Sequence, residues 1–355
     1  SLGSGASCSL NYELKALREP NDTRYRDLYA PAILGLQGAW DVTTGGDDVV
    51  VQIIDTGIKA NHPDLSRNLF VNTGEIPNNR IDDDRNGFVD DVNGINAIDN
   101  TGNPNDDHAH GTHVAGTIGA VGNNSLGVTG VAWSVKLSPC KFLDSSGVGS
   151  SADAIKCVDY GVSLKERGFK VVASNNSWGG GRFNEALRNA IQRAEAAGIM
   201  FIAAAGNDGV DGDTFPHYPS SYGAPSANFP GLSNVISVAS VTSSSSLSSF
   251  SNYGRTSVHL AAPGSEILST CNGTYRCLVT STDPLYTVFS GTSMASPQVA
   301  GVLALAQSVC SRSLTTAESR RILLETVTRA AALENKTITG GIVHAQRAVE
   351  LARAI

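Results

Sequence analysis

Nearly continuous apolar runs of strand length constrain the fold of this chain more than any other feature. They cover residues 49–54, 171–173, 199–205, 235–241 and 258–262. A strand with one face in water alternates apolar and polar residues, whereas an unbroken apolar run is typical of a strand that is covered on both faces. Helical patterns alternate with these runs, at residues 151–167, 184–197, 294–309, 315–330 and 344–355. The alternation predicts an α/β fold built on one mostly parallel sheet.

Length and composition indicate one large domain. The chain has 355 residues, of which 41% are apolar, and this is enough to bury a substantial core. The sequence shows no repeat and no second domain. We predict that residues 22–355 form the domain and that residues 1–21 are an N-terminal extension. Because the extension lacks a signal-peptide pattern, we expect a processed or trimmed form of the protein.

Charge and hydropathy argue against two classes of partner. With 33 acidic and 26 basic side chains the formal net charge is −7, and the sequence has no basic stripe of the kind that binds nucleic acid. No apolar run reaches the roughly eighteen residues of a membrane span. We therefore predict neither a nucleic-acid partner nor a transmembrane segment.

One serine lies between a glycine and a helical pattern, in the run Gly-Thr-Ser-Met-Ala-Ser-Pro at residues 291–297. We expect Pro297 in the first turn of the following helix, because proline disrupts later turns. Ser293 then lies at a helix N-terminus, where free amides and the helix dipole stabilise negative charge on a reacting oxygen. Serine is also a common N-cap residue, so this motif alone does not make Ser293 a nucleophile.

Two other motifs supply an acid and a base. Asp55 ends the first apolar run, and in an open α/β sheet ligands bind at the carboxyl ends of the strands. His110 and His113 lie three residues apart in the run His-Gly-Thr-His-Val-Ala-Gly-Thr, so they share a helix face and either can point at Asp55. A hydroxyl, an imidazole and a carboxylate are the groups that acyl transfer requires.

These three motifs resemble those of the subtilisin-like serine endopeptidases, the subtilases, whose catalytic residues follow the same order of Asp, His and Ser. The resemblance extends from about residue 22 to the C-terminus. It implies a three-layer α/β fold with a mostly parallel central sheet and helices on both faces, and hydrolysis of peptide bonds in proteins or peptides. It assigns Asp55, His110 and Ser293 to catalysis, with His113 as a packing residue.

We expect an enzyme that is secreted or lies in the lumen of a secretory vesicle. The resemblance also implies an inhibitory pro-region that is cleaved off. We expect such a pro-region, besides protein or peptide substrates, as a partner of a monomeric enzyme.

Six cysteines are consistent with an oxidising compartment. Cys140 on a strand and Cys157 on the following helix are expected to be adjacent, and Cys271 with Cys277 to close a short loop. Cys8 and Cys310 then either pair or stay free.

An amide and a peptide-binding cleft complete the implied site. Asn207 follows the apolar run 199–205 and by resemblance donates to the oxyanion beside the backbone amide of Ser293, although asparagine is also an ordinary turn residue. His217 lies near the floor of the primary pocket or is an ordinary loop residue, and both interpretations stay open. An extended peptide is expected between two backbone segments. The residues assigned to substrate binding are Ser177, Trp178, Gly179, Gly147, Val148, Gly149, Ala204, Gly206 and His217.

Residues 75–91 have the spacing of a calcium-binding loop. The residues at positions 1, 3, 5, 7 and 9 of an EF-hand pattern are Asp82, Asp84, Asn86, Phe88 and Asp90. Position 12 is Asn93 instead of glutamate, so Asp90, Asp91 or Glu75 is expected to supply that oxygen instead. Crowded aspartates repel one another without a cation, and a solvated acidic loop is the alternative. The predicted ligands are Glu75, Asp82, Asp83, Asp84, Asn86, Phe88, Asp90 and Asp91.

A second calcium site follows from the resemblance alone. Its ligands would be Asp22, Asp64, Val121, Asn124, Leu126 and Val128. We expect two or three structural Ca²⁺ ions in all, which change the formal charge from −7 to between about −3 and −1.

Two alternative functions can be compared with the peptidase hypothesis. A zinc hydrolase using His110, His113 and Asp107 lacks the glutamate of the H-E-x-x-H motif. An inactive relative that serves as a binding module would need a replaced catalytic residue, and none is replaced. The sequence favours the endopeptidase.

Overall fold

The computed structural model describes residues 18–278 and 283–355. Its strands are, in chain order, β1 Gly45–Asp55, β2 Ile95–Asn96, β3 Ser134–Lys141, β4 Lys170–Asn176, β5 Met200–Ala204, β6 Val235–Val241, β7 Leu260–Pro263, β8 Ile267–Thr270, β9 Tyr286–Phe289, β10 Thr328–Arg329 and β11 Gly341–Ile342. Within the described residues they form a nine-stranded sheet, in the order β10-β11-β7-β6-β5-β4-β1-β3-β2, and a β8-β9 hairpin. The pairings in the large sheet are parallel apart from β10–β11. The mostly parallel sheet is thereby confirmed.

Helices cover both faces of this sheet. They are α1 Ala30–Leu34, α2 Leu36–Trp40, α3 His110–Gly119, α4 Ser151–Glu166, α5 Glu185–Ala196, α6 Thr292–Ser308, α7 Thr316–Glu325 and α8 Ala345–Arg353. Helices α4 and α5 pack together on one face, and α6 packs with α3 and α8 on the other. The three-layer arrangement of the prediction is therefore confirmed. No helix in the described part of the chain is long and apolar enough to cross a membrane.

Strand β1 shows why its apolar run does not alternate with polar residues. Val51 and Ile53 belong to the core on the α3 and α6 side, whereas Val50 and Ile54 belong to the core under α4 and α5. The one polar side chain in the run, Gln52, is also buried, and its Nε2 donates to the carbonyl of Cys157 at 2.7 Å. Both faces of the strand thus exclude water.

The parallel arrangement brings polar residues to one edge of the sheet. Strands β1, β4 and β5 are neighbours, and Asp55, Ser177 and Asn207 lie at or just beyond their carboxyl ends. Because parallel strands end on the same side, one topological feature brings together residues that are far apart in sequence.

One predicted helix ends early. A helix over residues 315–330 was expected, but α7 ends at Glu325. Its start is well defined, because Thr315 and Glu318 form a capping box. The following Thr-Val-Thr segment is β-branched and favours extended backbone, and it leads into β10, which pairs antiparallel with β11.

Pro297 does not lie where we expected it. Helix α6 begins at Thr292, after Gly291 as N-cap, so Pro297 is in the second turn instead of the first. Proline has no N–H, which leaves the carbonyl of Ser293 without its helical donor. Ser177 Oγ donates to this carbonyl at 2.7 Å. The missing helical bond is thereby replaced by a bond to the end of β4.

Two disulfides are present, as predicted. They join Cys140 to Cys157 and Cys271 to Cys277. Cys310 forms no disulfide with any cysteine of residues 18–278 or 283–355, and Cys8 lies outside the described residues, so the question of their pairing stays open.

The predicted N-terminal extension, residues 1–21, lies mostly outside the described residues. At its described end, the side-chain oxygen of Asn21 accepts a hydrogen bond from the Ser125 amide at 2.8 Å. Residue 21 therefore already contacts the loop at 121–128, and the boundary at residue 22 stays a prediction.

Candidate active site

Asp55 and His110 form a hydrogen-bonded pair below the surface of the cleft. Asp55 is fully buried at the end of β1. Its two carboxylate oxygens lie 2.8 and 3.0 Å from Nδ1 of His110, and Oδ1 also accepts from the Thr56 amide at 2.7 Å. A carboxylate can only accept, so Nδ1 carries the proton and Nε2 is left to act as a base.

A second buried carboxylate, Asp106, holds the start of α3. Its Oδ1 accepts from the amides of His108 and Ala109, both at 2.9 Å, and from Thr56 Oγ1 at 2.8 Å. Its Oδ2 accepts from the Thr112 amide at 3.0 Å. These bonds fix the helix turn from which His110 projects. No role was predicted for Asp106 from the sequence, although aspartate near a helix start is a common capping signal.

The electrostatics of the pair favour protonated His110. Burial of the imidazole lowers its pKa, but the charge of Asp55, its hydrogen bond and the charge of Asp106 outweigh burial, and the pKa is raised from its ordinary value. His113 has a different environment. It is buried, its Nε2 lies 3.0 Å from the Ile267 carbonyl, its ring stacks on Phe289, and burial lowers its pKa to about 3.

Ser293 lies in the first turn of α6 and exchanges two hydrogen bonds with Ser177. Ser293 Oγ donates to the Ser177 carbonyl at 3.0 Å, while Ser177 Oγ donates to the Ser293 carbonyl. Ser293 and His110 line the same cavity, of about 480 Å³. A bond from the hydroxyl to His110 requires it to leave the Ser177 carbonyl, and such bonds often form only when substrate is present.

Asn207 lines the same cavity, and Thr292 fixes its amide. The side-chain oxygen of Asn207 accepts from the Thr292 amide at 2.8 Å and from Thr292 Oγ1 at 2.9 Å. Because both bonds use the oxygen, the Nδ2 group remains available as a donor in the cavity. The sequence analysis gave Thr292 no role.

A larger cleft of about 810 Å³ adjoins this cavity. Residues 147–149 and residues 177–179 line it, and His110 lies where the two cavities meet. The structure therefore brings six of the predicted substrate-binding residues together. Ala204 is buried at the end of β5, and His217 packs against Gly179 and Gly206.

Comparison with known proteins decides the family. The model of the subtilase family matches residues 46–341. This chain belongs to the subtilase family. The fold of this subtilase is similar to that in a solved structure of a protease from Pseudoalteromonas arctica. That structure covers 94% of this chain and 99% of its own chain, with a TM-score of 0.71 and 28% identity.

Two known proteins are similar in sequence to this subtilase over most of its length. Subtilisin-like protease 1 of Plasmodium vivax is 36% identical over 311 residues, which are 84% of this chain and 47% of that protein. The Extracellular protease of Xanthomonas campestris pv. campestris is 36% identical over 365 residues, which are 98% of this chain and 59% of that protein. The chain thus spans about half the length of these relatives.

The acidic loop of this subtilase contains a cluster of carboxylates. Oxygens of Glu75, Asp82 and Asp84 lie within 4.8 Å of one another. Asp91 is buried beside them, and its Oδ2 accepts from Tyr160 at 2.7 Å, whereas its Oδ1 has no hydrogen-bond partner among the described residues. Burial raises the pKa of Asp91 to about 6.

Other predicted ligands in this loop accept hydrogen bonds from its backbone amides. Asp83 Oδ2 accepts from the Ile76 amide at 3.0 Å, and Asp90 accepts from the amides of Asn79 and Arg80. The predicted ligand Asn86 accepts from the amide of Phe88 at 2.8 Å, and the Phe88 ring packs edge-on against Tyr160. Arg167 pairs with Asp84, a contact that the sequence pattern did not reveal.

Several of the residues predicted as ligands of a second calcium ion form hydrogen bonds with Asp64. This buried carboxylate accepts from Asn124 Nδ2 at 2.7 Å and from the Val128 amide at 3.0 Å, and its backbone carbonyl accepts from the Val121 amide. Burial raises its pKa to about 6. Asp22 is also buried, and its Oδ1 has no partner within residues 18–278 and 283–355. The Leu126 amide donates to the side-chain oxygen of Asn124 at 2.8 Å.

Proposed function

We propose that this chain is a serine endopeptidase with Ser293 as nucleophile, His110 as general base and Asp55 as the carboxylate that orients His110. The observation that carries the proposal is the hydrogen bond between buried Asp55 and half-buried His110, whose imidazole lines the same cavity as Ser293 and Asn207. Membership of the subtilase family supports it.

In the proposed reaction, Nε2 of His110 takes the proton of Ser293 as the hydroxyl attacks the scissile carbonyl. Asp55 keeps Nδ1 protonated and stabilises the imidazolium that forms. Asn207 Nδ2 and the Ser293 amide donate to the oxyanion. His110 then protonates the leaving amine, and water repeats the cycle on the acyl-enzyme.

The shape of the cleft supports cleavage within a chain. The acyl side of an extended peptide would lie between residues 147–149 and 177–179 by strand addition. Past Ser293 the cleft continues into the second cavity, which can take the residues after the scissile bond. Substrate can therefore extend in both directions, as an endopeptidase requires.

We further propose structural calcium at the acidic loop and at the second predicted site, beside Asp64 and Asp22. Both sites offer only oxygen donors, which are the ligands that Ca²⁺ prefers. The oxygens Asp91 Oδ1 and Asp22 Oδ1 are buried without a partner among the described residues, and a buried carboxylate oxygen is expensive to leave unpaired. Two or three bound ions would satisfy these groups, and calcium would stabilise the fold without taking part in the chemistry.

The setting of the enzyme is part of the same proposal. We place it outside the cell or in the lumen of a secretory vesicle, as a monomer inhibited by its own cleaved pro-region. Two disulfides and the similarity to a protease named as extracellular support secretion.

Among the described residues, His110, His113 and Asp107 do not form a zinc site. His113 Nε2 lies against the Ile267 carbonyl, and Asp107 pairs with Lys141 Nζ at 2.7 Å. The structure therefore does not bring these residues together with His110 as metal ligands.

Labelling by a fluorophosphonate probe tests the proposal. We expect the wild-type protein to be labelled, Ser293→Ala to lose labelling, and Ser243→Ala, in an exposed loop, to keep it. Labelling that survives in Ser293→Ala would show that another residue is the nucleophile.

A further inference from the structure

Ser177, Ser293 and Asn207 define where the substrate residue that supplies the scissile carbonyl, P1, must lie. If the proposed function holds, its carbonyl carbon is at Ser293 Oγ and its oxygen is at Asn207. Ser293 Oγ contacts the carbonyl of Ser177, and Asn207 directly follows Gly206. The P1 side chain therefore enters the gap between residues 177–179 and residues 204–206.

The imidazole of His217 occupies this gap. A methyl group built on Gly179 would lie 2.0 Å from Cε1 of His217, and one built on Gly206 would lie 2.9 Å from Cδ2. Opposite edges of one ring thus touch the two backbone segments that face the P1 side chain. Glycine at position 179 makes room for the ring, because a side chain there would meet it first, whereas a side chain at position 206 would meet Asn252 Nδ2 as well as the ring.

His217 is also held in this place. Its amide donates to Ser221 Oγ at 2.9 Å, and its carbonyl accepts from the Ser221 amide at 2.9 Å and from Ser220 Oγ at 2.8 Å. Nδ1 lies 3.4 Å from Ser220 Oγ. The backbone of His217 is hydrogen-bonded on both sides, and its ring lies between two glycines. A large P1 group would therefore have to displace a packed side chain.

We propose that His217 fills the primary specificity pocket, so that this subtilase cleaves after small residues such as alanine and serine and rejects large aromatic and aliphatic ones. This inference rests on the proposed function. It names the class of substrate, which neither the family nor the named relatives specify.

Two peptides that differ only in having Ala or Phe at P1 test it. We expect the wild-type kcat/KM to favour Ala by at least about 10², since even one extra methylene in a fitted pocket changes specificity by about 10-fold or more. His217→Ala should raise the Phe-to-Ala ratio of kcat/KM by about 10². His217→Phe keeps a ring in the gap and should retain the preference for Ala. Phe215→Ala, an exposed residue of the same loop, should leave the ratio at the wild-type value.

The result that would overturn the proposal is a wild-type enzyme that cleaves after Phe as fast as after Ala, or a ratio that His217→Ala leaves unchanged. If His217→Ala does not fold, the wild-type and His217→Phe ratios still decide. Fluorophosphonate labelling of Ser293 distinguishes a failure of the proposed peptidase function from a failure of the inference about His217. Absent labelling contradicts the proposed peptidase, whereas normal labelling without a preference for small P1 residues contradicts only the role of His217.

Discussion

The cleft around Ser293 and the acidic loop at residues 75–91 both contain buried carboxylates, but those of the cleft, Asp55 and Asp106, have hydrogen-bond partners for both of their oxygens. Both oxygens of Asp55 contact His110, and Asp106 is bonded to five donors of its surroundings. In the acidic loop, three carboxylates approach one another and an oxygen of Asp91 has no partner among the described residues. The chain therefore holds these two carboxylates of the cleft by itself, whereas the proposed calcium ion would supply the missing partner in the loop.

This contrast predicts that substitutions in the two regions have different effects on activity and on stability. Changes in the cleft should remove activity and leave the melting temperature almost unchanged. Changes in the acidic loop should lower the melting temperature and leave the chemistry of the surviving folded enzyme intact.

The largest expected effect is on turnover. Ser293→Ala or His110→Ala should each lower kcat by about 10⁶, the size of loss found for either residue in subtilisin, because the residues act as a unit. The double variant should lose little more than either single one. Single-turnover assays on the three variants measure this, and additive losses would contradict a shared role.

Removal of the amide donor should have a smaller effect. Asn207→Ala is expected to lower kcat by about 10²–10³, by analogy with the corresponding donor in subtilisin, with little change in KM because the oxyanion exists only in the transition state. Steady-state kinetics on one peptide substrate checks this. An effect confined to KM would place Asn207 in substrate binding instead.

The pH profile reports on the buried pair. His110 must be neutral to act as a base, and its pKa is raised from 6.5 because the Asp55 and Asp106 charges outweigh burial. Activity should therefore fall about tenfold for each pH unit below this raised pKa, with the limb of kcat/KM above pH 6.5. Asp55→Asn should move the limb to lower pH. A wild-type limb below 6.5 would contradict the assignment.

Calcium removal should affect stability alone. If the ion concentration is about 100 times the dissociation constant, removal destabilises the fold by about 2.7 kcal/mol, a fall of several degrees in melting temperature. Strong chelation should also make the chain prone to self-cleavage. Asp91→Asn should reduce the response to chelator, and Asp159→Asn, whose partner Arg193 is exposed, serves as control. A melting temperature that chelator leaves unchanged would exclude structural calcium.

Much of this architecture could be predicted because it depends on local patterns. The apolar run of β1 and the rule that ligands bind at strand ends placed Asp55 at the correct edge of the sheet. The end of α7 was not predicted, because the β-branched residues 326–328 have only a weak local preference for extended backbone, and the strand partner of Thr328, Ile342, lies elsewhere in the sequence.

Contacts between residues that are far apart in sequence could not be predicted either. Arg167 meets Asp84 and Tyr160 meets Asp91 across 83 and 69 residues of chain. No motif records that a side chain from one loop fills a gap between two others, so the position of the His217 ring required the structure. The motifs of the proposed catalytic residues could be recognised in the sequence because each combines a reactive group with a distinctive backbone setting.

The second-turn proline of α6 has a consequence for the order of events. Since Pro297 leaves a carbonyl free, Ser177 and Ser293 hold each other through reciprocal bonds. The hydroxyl of Ser293 is bonded to the same segment that is proposed to receive the peptide. Under the proposed mechanism this hydroxyl must leave the Ser177 carbonyl before it can attack, so a peptide that takes over that carbonyl would also free the nucleophile.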